Sequence, residues 1–272
     1  MKKIFILILL LLLSAITFFT VFKFDVKQNN DYGVFLSIYS EDIDKLDEYK
    51  TVVIDAQNFT KEDIDKLHKE NKTVYSYLNI GSVENYRDYY NEYQDLFLGT
   101  YENWEEEQWV DVSSKRWQEF ILSLSDKFDE MGIDGYFIDN TDVYYNFPED
   151  KIYDGLTNIL TKLKSKHKEV IINGGDYYVD KFYEENKSIK EILTGINQET
   201  VFSKIDFDNN KLLTQTISEQ EYYLNYINKY KKEGAKIFLL EYTTDKAVIN
   251  KISDYCNTNG CLYYISDSIE LD

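Results

Sequence analysis

Residues 132–146 read "GIDGYFIDNTDVYYN", a short apolar run with an aspartate at each end, Asp134 and Asp139. A glycine precedes the run, where a helical stretch from about 114 to 131 stops. Strand side chains alternate between two faces, so Phe137 and Asp139 share one face and Asp134 lies on the other. We therefore predict that Asp134 begins the strand and pairs locally, whereas Asp139 emerges at its far end.

Similar β-rich runs recur on both sides of this stretch and alternate with amphipathic helical stretches. The eight predicted strands are Gly33–Tyr39, Thr51–Asp55, Val74–Ile80, Gly135–Asp139, Val170–Asn173, Gly195–Glu199, Lys236–Glu241 and Leu262–Ser266. Thr60 with Asp63, and Ser218 with Glu221, have the spacing of capping boxes that open helices. Helices near 114–131 and 218–233 are followed by glycines that suit left-handed C-terminal caps.

Eight strands alternating with helices predict an α/β fold of the (β/α)8 TIM-barrel class. The runs are apolar throughout, as expected for parallel strands covered on both sides. An open doubly wound sheet is the alternative, but its glycine-rich turn is missing from "SIYSEDID" at 37–44. The chain stops soon after the eighth strand, so the last helix is missing or replaced. The stretch 84–131 exceeds one helix, and its "WEEEQWVDV" segment is expected to cover a gap.

Length and composition predict one folded unit. The 272 residues are 43% hydrophobic and include 11 Gly and a single Pro, which leaves little material for linkers, so we assign residues 33–272 to one domain and expect a monomer. The net charge of −19 disfavours nucleic acid as a partner. Such a surface attracts cationic ligands, although it can equally serve solubility alone.

The N-terminus predicts export through a membrane. Lys2 and Lys3 precede an uncharged apolar run at 4–22, long enough for a transmembrane helix of about 20 residues. Residues 1–23 are therefore predicted to be a signal anchor, with a linker at 24–32 and the rest of this single-pass membrane protein outside the cell. A cleaved signal peptide, which would make the protein secreted, is the alternative. Outside the cell, Cys256 and Cys261 could form a disulfide around "NTNG", with two free buried thiols as the other possibility.

Polar side chains end several of the predicted strands. In TIM barrels the active site lies at the C-terminal ends of the strands, so these residues should meet on one rim. They are Asp55, Asn79, Asp139, Asn173, Glu199 and Glu241. Paired carboxylates suit glycoside hydrolysis, in which one stays ionised and the other donates a proton to the leaving oxygen.

Other chemistries have less support. His68 and His167 lie in lysine-rich helical stretches and are expected at the surface. The chain contains no G-x-S-x-G, H-E-x-x-H or P-loop pattern. Carboxylates could hold Ca²⁺ or Mg²⁺, but "DNTDVYYNFPED" departs from the EF-hand pattern. We therefore predict no cofactor and no metal.

Four segments resemble glycoside hydrolase family 114, the endo-α-1,4-polygalactosaminidase-like group with its bacterial and archaeal extracellular relatives. They are "YSYLNIGSVENYR" (75–87), "WVDVSSKRW" (109–117), "GIDGYFIDNTDVY" (132–144) and "INQETVF" (196–202). The resemblance runs from the first strand to the eighth and implies a (β/α)8 barrel. It also implies that Asp139 and Glu199 are the catalytic carboxylates, with Asp139 as nucleophile or charge stabiliser and Glu199 as acid/base.

The resemblance further implies a set of residues that bind substrate or order the rim. Arg87 is expected to pair with a carboxylate there, and Glu241 is the alternative acid/base. The substrate-binding candidates are Asp55, Tyr77, Asn79, Glu84, Arg87, Asn140, Asn173 and Glu241. The expected substrate is an α-linked amino-sugar polysaccharide of the galactosamine type. A carbohydrate-binding surface protein without turnover, and a Ca²⁺-dependent adhesion module, are the alternatives.

Overall fold

The computed structural model describes residues 30–272. The predicted signal anchor and nearly all of the predicted linker lie outside them. The strands are β1 (Tyr32–Phe35), β2 (Thr51–Ile54), β3 (Thr73–Asn79), β4 (Ser82–Glu84), β5 (Phe97–Tyr101), β6 (Trp104–Val110), β7 (Gly135–Asp139), β8 (Glu169–Asn173), β9 (Gly195–Glu199), β10 (Ser203–Asp206), β11 (Lys211–Thr214), β12 (Lys236–Tyr242) and β13 (Leu262–Ser266). The α-helices are α1 (Lys61–Lys69), α2 (Lys115–Met131), α3 (Val143–Asn146), α4 (Asp150–Ser165), α5 (Asp176–Asn186), α6 (Ile217–Lys232) and α7 (Lys246–Asn259). Short 3-10 helices span Ser40–Leu46, Ala56–Asn58, Tyr90–Glu92 and Gln94–Leu96.

Eight parallel strands form a nearly closed barrel. They are hydrogen-bonded in the order β1-β2-β3-β7-β8-β9-β12-β13. The first and last strands face each other, and the rings of Phe35 and Tyr264 lie 5.3 Å apart across that seam. The barrel prediction is therefore confirmed, and its eight strands are the eight read from the sequence. Three have the predicted bounds, and the ends of the others differ by at most four residues. None of the helices between residues 30 and 272 combines the length and the apolar character needed to cross a membrane.

Residues 267–272, which follow β13, pack back against the first strand. After β13 the described chain has no helix; instead it turns back toward the first strand, where Ser37 N donates to Leu271 O at 3.2 Å. The Leu271 side chain is buried. This segment therefore covers the seam between β1 and β13 with one buried leucine and a backbone hydrogen bond.

Two antiparallel insertions stand at the C-terminal ends of the barrel strands. Between β3 and α2, the strands β4, β6 and β5 form an antiparallel sheet, with Glu84 opposite Glu107 in the β4–β6 pair. Between β9 and α6, β10 and β11 form a second hairpin. The rings of Trp104 and Phe207, one from each insertion, lie 5.9 Å apart. The stretch 84–131, which was too long for one helix, thus contains most of a small sheet beside the barrel, followed by helix α2.

Strand alternation divides the core into two layers, one inside the barrel and one between barrel and helices. On β7, Phe137 points inward with Asp139, whereas Tyr136 and Ile138 pack with the helices. Asp134 lies at the opposite end, where its Oδ2 accepts from Val74 N at 2.7 Å and stands 3.1 Å from His68 Nε2. The prediction that Asp134 pairs locally is confirmed.

Helix ends follow the sequence signals with one exception. Gly132 caps α2 with φ +100°, and Thr60 with Asp63 forms a full capping box at the start of α1. The capping box predicted at Ser218 is wrong. The Thr216 side chain accepts from Glu219 N instead, because the chain leaves β11 at Thr214 and enters α6 immediately.

Candidate active site

A cleft of about 670 Å³ opens at the C-terminal ends of the barrel strands. Its walls come from the ends of β7, β8, β9 and β12 and from the two antiparallel insertions. In the described chain nine carboxylates and two cationic side chains line it. The carboxylates are Asp55, Glu84, Glu102, Glu107, Asp139, Asp142, Asp176, Glu199 and Glu270, and the cations are Arg87 and Lys204. The cleft is therefore strongly negative and suits a cationic ligand.

One amide bridges the two carboxylates that end β7 and β9. Asn173 Nδ2 donates to Asp139 Oδ1 at 3.0 Å and to Glu199 Oε1 at 2.7 Å. Because a single nitrogen spans both, these two oxygens can be no farther apart than two hydrogen bonds laid end to end. Asp139 and Glu199, predicted to converge, are thus neighbours in one cleft.

The bridging amide is itself fixed from below. Asn197 Nδ2 donates to Asn173 Oδ1 at 2.7 Å, and Tyr32 Oη donates to Asn197 Oδ1 at 3.2 Å. Asn173 must therefore present its NH₂ group, with both hydrogens used, to the carboxylates. Asn173, predicted to bind substrate, serves here to position the acidic pair, although it also lines the cleft.

Two buried tyrosines hold the outer oxygens of the pair. Tyr77 Oη lies 3.1 Å from Asp139 Oδ2 and 3.3 Å from Glu84 Oε1, and Tyr242 Oη donates to Glu199 Oε2 at 2.9 Å. Burial beside these carboxylates raises the pKa of both phenols, so they act as neutral donors. Tyr77 was predicted from the sequence, whereas Tyr242 was missed.

The two carboxyl groups of the pair have different surroundings, which shift their pKa values differently. Burial raises the pKa of Glu199 to about 7, and the nearby charge of Asp139 adds to the rise. Burial also raises the pKa of Asp139, but hydrogen bonds from Asn173 and Tyr77 oppose that rise. One carboxyl can therefore keep a proton near neutral pH while its neighbour is ionised, as a two-carboxylate hydrolysis needs.

The residues that follow both carboxylates have left-handed backbone conformations. Asn140 has φ +63° and Thr200 has φ +54°. Asparagine tolerates this conformation better than most residues, whereas it is strained for a β-branched threonine. Gly81 approaches the same turn so closely that a Cβ would lie 1.8 Å from Asn140 O. The chain thus turns sharply after each acid, and the turn after Glu199 is strained at Thr200.

A buried cation joins the walls formed by β2 and β4. Arg87 NH1 donates to Asp55 Oδ2 at 2.6 Å, and its Nε and NH2 donate to the two oxygens of Glu84, each at 3.1 Å. All three side chains are at least nine-tenths buried. The expectation that Arg87 orders the rim is met. Asp55 and Glu84, predicted to bind substrate, line the cleft but have oxygens engaged by this guanidinium.

Asn79 is not where a substrate-binding residue should be. It is buried and does not line the cleft; its amide donates to Ser82 Oγ at 2.8 Å and its carbonyl accepts from Ser82 N at 2.9 Å. Both polar groups are occupied in closing the β3–β4 turn. Asn140, which does line the cleft, donates to the same Ser82 Oγ at 2.7 Å.

Glu107 is a cleft carboxylate that the sequence did not reveal. Its Oε2 accepts from Ser82 Oγ at 3.0 Å. Burial raises its pKa to about 8, with contributions from the charges of Glu84 and Asp139. The available signal is alternation along β6, which places Glu107 on the same cleft-facing side as Trp109.

Glu241 was predicted to bind substrate or replace Glu199, and both predictions are wrong. Along β12 the side chains of Leu240 and Tyr242 belong to the barrel-interior layer, so Tyr242 faces the cleft and Glu241, like Leu239, points outward. There it is fully buried and accepts from Phe202 N, Ser203 N and Ser203 Oγ at 3.0, 2.8 and 2.5 Å. Glu241 therefore anchors the loop that follows Glu199.

The predicted disulfide is not formed. Cys256, in the last turn of α7, and Cys261, just past the Gly260 cap, are buried free thiols. The cap holds them together through a hydrogen bond from Cys261 N to Cys256 O at 3.1 Å. The alternative of two free buried thiols is the one observed. Among residues 30–272, no three His, Cys, Asp or Glu side chains form a group that could hold a metal ion.

Comparisons with known proteins agree with this geometry. The model of glycoside-hydrolase family GH114 matches residues 22–269. Uncharacterized protein MJ1477 of Methanocaldococcus jannaschii is 23% identical over 282 residues, covering 90% of this chain and 79% of that protein.

Solved structures share the fold. The glycoside hydrolase domain of PelA from Pseudomonas aeruginosa matches with a TM-score of 0.75 at 13% identity, over 89% of this chain and 96% of that one. Aspergillus fumigatus Ega3, solved in complex with galactosamine, matches with a TM-score of 0.70 at 15% identity, over 89% of this chain and 92% of that one. At these identities the likeness shows the fold alone.

Proposed function

The chain belongs to glycoside-hydrolase family GH114, and from that membership we propose that it cleaves α-linked galactosamine-type polysaccharides with Asp139 and Glu199. The observation that carries the proposal is the amide of Asn173, which holds both carboxylates at once. A shared donor keeps them within reach of the same glycosidic bond. Their unequal surroundings supply one ionised and one protonated group.

The order of the chemistry follows from these positions. Asp139, as carboxylate, attacks the anomeric carbon while Glu199 donates its proton to the glycosidic oxygen and the bond to the leaving sugar breaks. Glu199, now ionised, then takes a proton from a water that attacks the same carbon and releases Asp139. The Asn173 amide keeps Asp139 Oδ1 and Glu199 Oε1 close together, which favours a covalent intermediate over inversion, in which a water lies between carboxyl groups about 6.5–9.5 Å apart.

Charge supports an amino-sugar substrate. The charged residues that line the cleft are mostly carboxylates, and the whole chain carries a net charge of −19. Ammonium groups on a partly deacetylated polymer would be attracted to it. Ega3, which shares the fold, was solved in complex with galactosamine. Action outside the cell, tethered through residues 1–23 or secreted after their removal, stays part of the proposal.

The proposal is tested with the purified full-length protein and a panel of polymers. We expect new reducing ends from partly deacetylated α-1,4-galactosaminan, and far fewer from its fully acetylated form or from a neutral α-1,4-glucan. Size-exclusion chromatography of the polymer would distinguish endo from exo action, because cleavage of internal bonds lowers the average chain length early in the reaction. Binding of the cationic polymer without any cleavage by the wild-type protein would contradict hydrolysis and favour the carbohydrate-binding alternative.

The activity should fall as the pH rises above neutral. Glu199 must be protonated to donate, and its pKa is about 7. Because the protonated fraction falls tenfold per pH unit above the pKa, kcat/KM should decline on the alkaline side. On the acid side kcat/KM should also decline, once Asp139, whose pKa is raised, gains a proton. A kcat/KM profile from pH 4 to 10 checks this, and the two apparent values belong to the pair. A rate still rising beyond about pH 8 would contradict Glu199 as the acid.

A further inference from the structure

Three tyrosines stand exposed beside the cleft, on the side formed by the loops after β7 and β8 and by helix α6. Tyr145, Tyr177 and Tyr222, here called the tyrosine rim, are 65%, 49% and 52% exposed. Tyrosines in these helices are not all exposed, because the adjacent Tyr144 and Tyr178 are at least nine-tenths buried. Exposed aromatic rings grouped in one place are unusual unless they contact a partner.

The tyrosine rim is continuous with the cleft. Tyr145 lines the cleft, and its ring lies 5.6 Å from that of Tyr177, nearly perpendicular to it. Asp176, which directly precedes Tyr177, also lines the cleft and accepts a hydrogen bond from Tyr222 Oη. Each outer tyrosine is therefore joined to a residue of the cleft wall, and the rim extends that wall outward.

The chemistry of the rim suits a sugar chain better than a protein partner. Tyrosine offers a flat apolar face with a polar tip, which matches the apolar face and hydroxyl edge of a pyranose ring. A negative charge stands among the rings, because Asp176 has the carboxylate that Tyr222 contacts, and Asp142 lies nearby in the cleft wall. A cationic sugar could stack on a ring and place its ammonium group at that carboxylate.

We propose that the tyrosine rim is an outer subsite that holds the amino-sugar polysaccharide where it leaves the cleft. The inference rests on the proposed function, because its occupant is a distal part of the same polymer. Rings outside the reacting centre bind the ground state and the transition state equally, so they lower KM for long chains without changing kcat. Short oligosaccharides that end inside the cleft gain nothing from the rim.

The test compares chain lengths. Tyr177→Ala and Tyr222→Ala, made in the full-length protein, should each raise KM for the α-1,4-galactosaminan polymer roughly two- to tenfold, with kcat unchanged. The preference in kcat/KM for polymer over a trisaccharide of the same sugar should fall by the same factor. Tyr39→Ala is the matched control, because Tyr39 is 53% exposed, like the rim tyrosines, but follows β1 and lies outside the tyrosine rim. Its preference should equal that of the wild type.

A second assay measures binding of the polymer directly, without hydrolysis. In a Glu199→Gln background, affinity electrophoresis in gels containing the polymer should show weaker retardation for the two rim variants and not for Tyr39→Ala. Rim variants that match Tyr39→Ala in both assays would overturn the outer subsite and leave the proposed function standing. No cleavage of any galactosamine polymer by the wild-type protein would instead overturn the proposed function itself.

Discussion

Asp139→Asn and Glu199→Gln should each lower kcat on the galactosamine polymer by about 10²–10⁴-fold. Asparagine removes the charge that attacks or stabilises the anomeric carbon, and glutamine removes the proton needed by the leaving oxygen. Both replacements keep the size of the side chain and an acceptor for Asn173, so the fold should persist. Release of reducing ends under saturating polymer measures the loss, and thermal unfolding checks the fold.

Asp134→Asn is the matched control for this pair of variants. Asp134 directly precedes the strand that ends at Asp139 and lies at the opposite end of the barrel, against Val74 N and His68. Its replacement should leave kcat within about threefold of the wild type, because surface changes away from the site rarely reach the chemistry. Equal losses for Asp134→Asn and Asp139→Asn would mean that the strand matters only for stability.

The two variants should also differ from each other. A substrate whose leaving group needs no proton, such as a 2,4-dinitrophenyl galactosaminide, bypasses the acid, so Glu199→Gln should lose much less on it than on the polymer. Asp139→Asn should lose activity on both, because the attack on the anomeric carbon is common to them. The reverse pattern would exchange the two roles.

Arg87→Met should destabilise the protein by about 3–5 kcal/mol, the second large effect we expect. The guanidinium lies between Asp55 and Glu84, and its removal leaves two buried carboxylates without their cation. Urea unfolding followed by circular dichroism measures the change in the free energy of unfolding. Polymer cleavage should fall as well, since Glu84 also contacts Tyr77, which holds Asp139.

A second arginine provides the control for that measurement. Arg116 forms an ion pair with Asp95, but both side chains are more than half exposed. Arg116→Met should therefore change the free energy of unfolding by no more than about 1 kcal/mol. Adding Asp55→Asn and Glu84→Gln to Arg87→Met should recover part of the loss, because no unpaired charge then remains buried. Similar values for the two single arginine variants would refute a structural role for the buried cluster.

The sequence was most informative where side-chain position follows from a repeating pattern. Asp139 and Glu199 each end a strand that the structure places within the same bounds, and the barrel then brings their ends together. Glu241 shows that a position at a strand end does not by itself place a side chain in the cleft. Alternation along β12 puts Leu240 and Tyr242 on the interior side, so Glu241 falls on the outer side and anchors a backbone loop.

Residues contributed by insertions could not be placed in the same way. Glu107 and Tyr101 come from the small sheet after β3, whose position over the cleft depends on its packing and not on the barrel repeat. Asn79 was placed at the correct strand end, but the tight turn at Gly81 and Ser82 directs its polar groups inward. The tyrosine rim gave no signal either, because tyrosines occur throughout this chain in the core and on the surface.

The anomeric configuration of the first product tests most directly whether Asp139 and Glu199 share one bound sugar as nucleophile and acid. Proton NMR of the polymer digest, begun within the first minutes, records that configuration before mutarotation. Carboxylates close enough to share the amide of Asn173 predict retention, so the α-anomer should appear first and the β-anomer only later. Initial release of the β-anomer would require a water between the two acids and would contradict the short bridge as the catalytic arrangement.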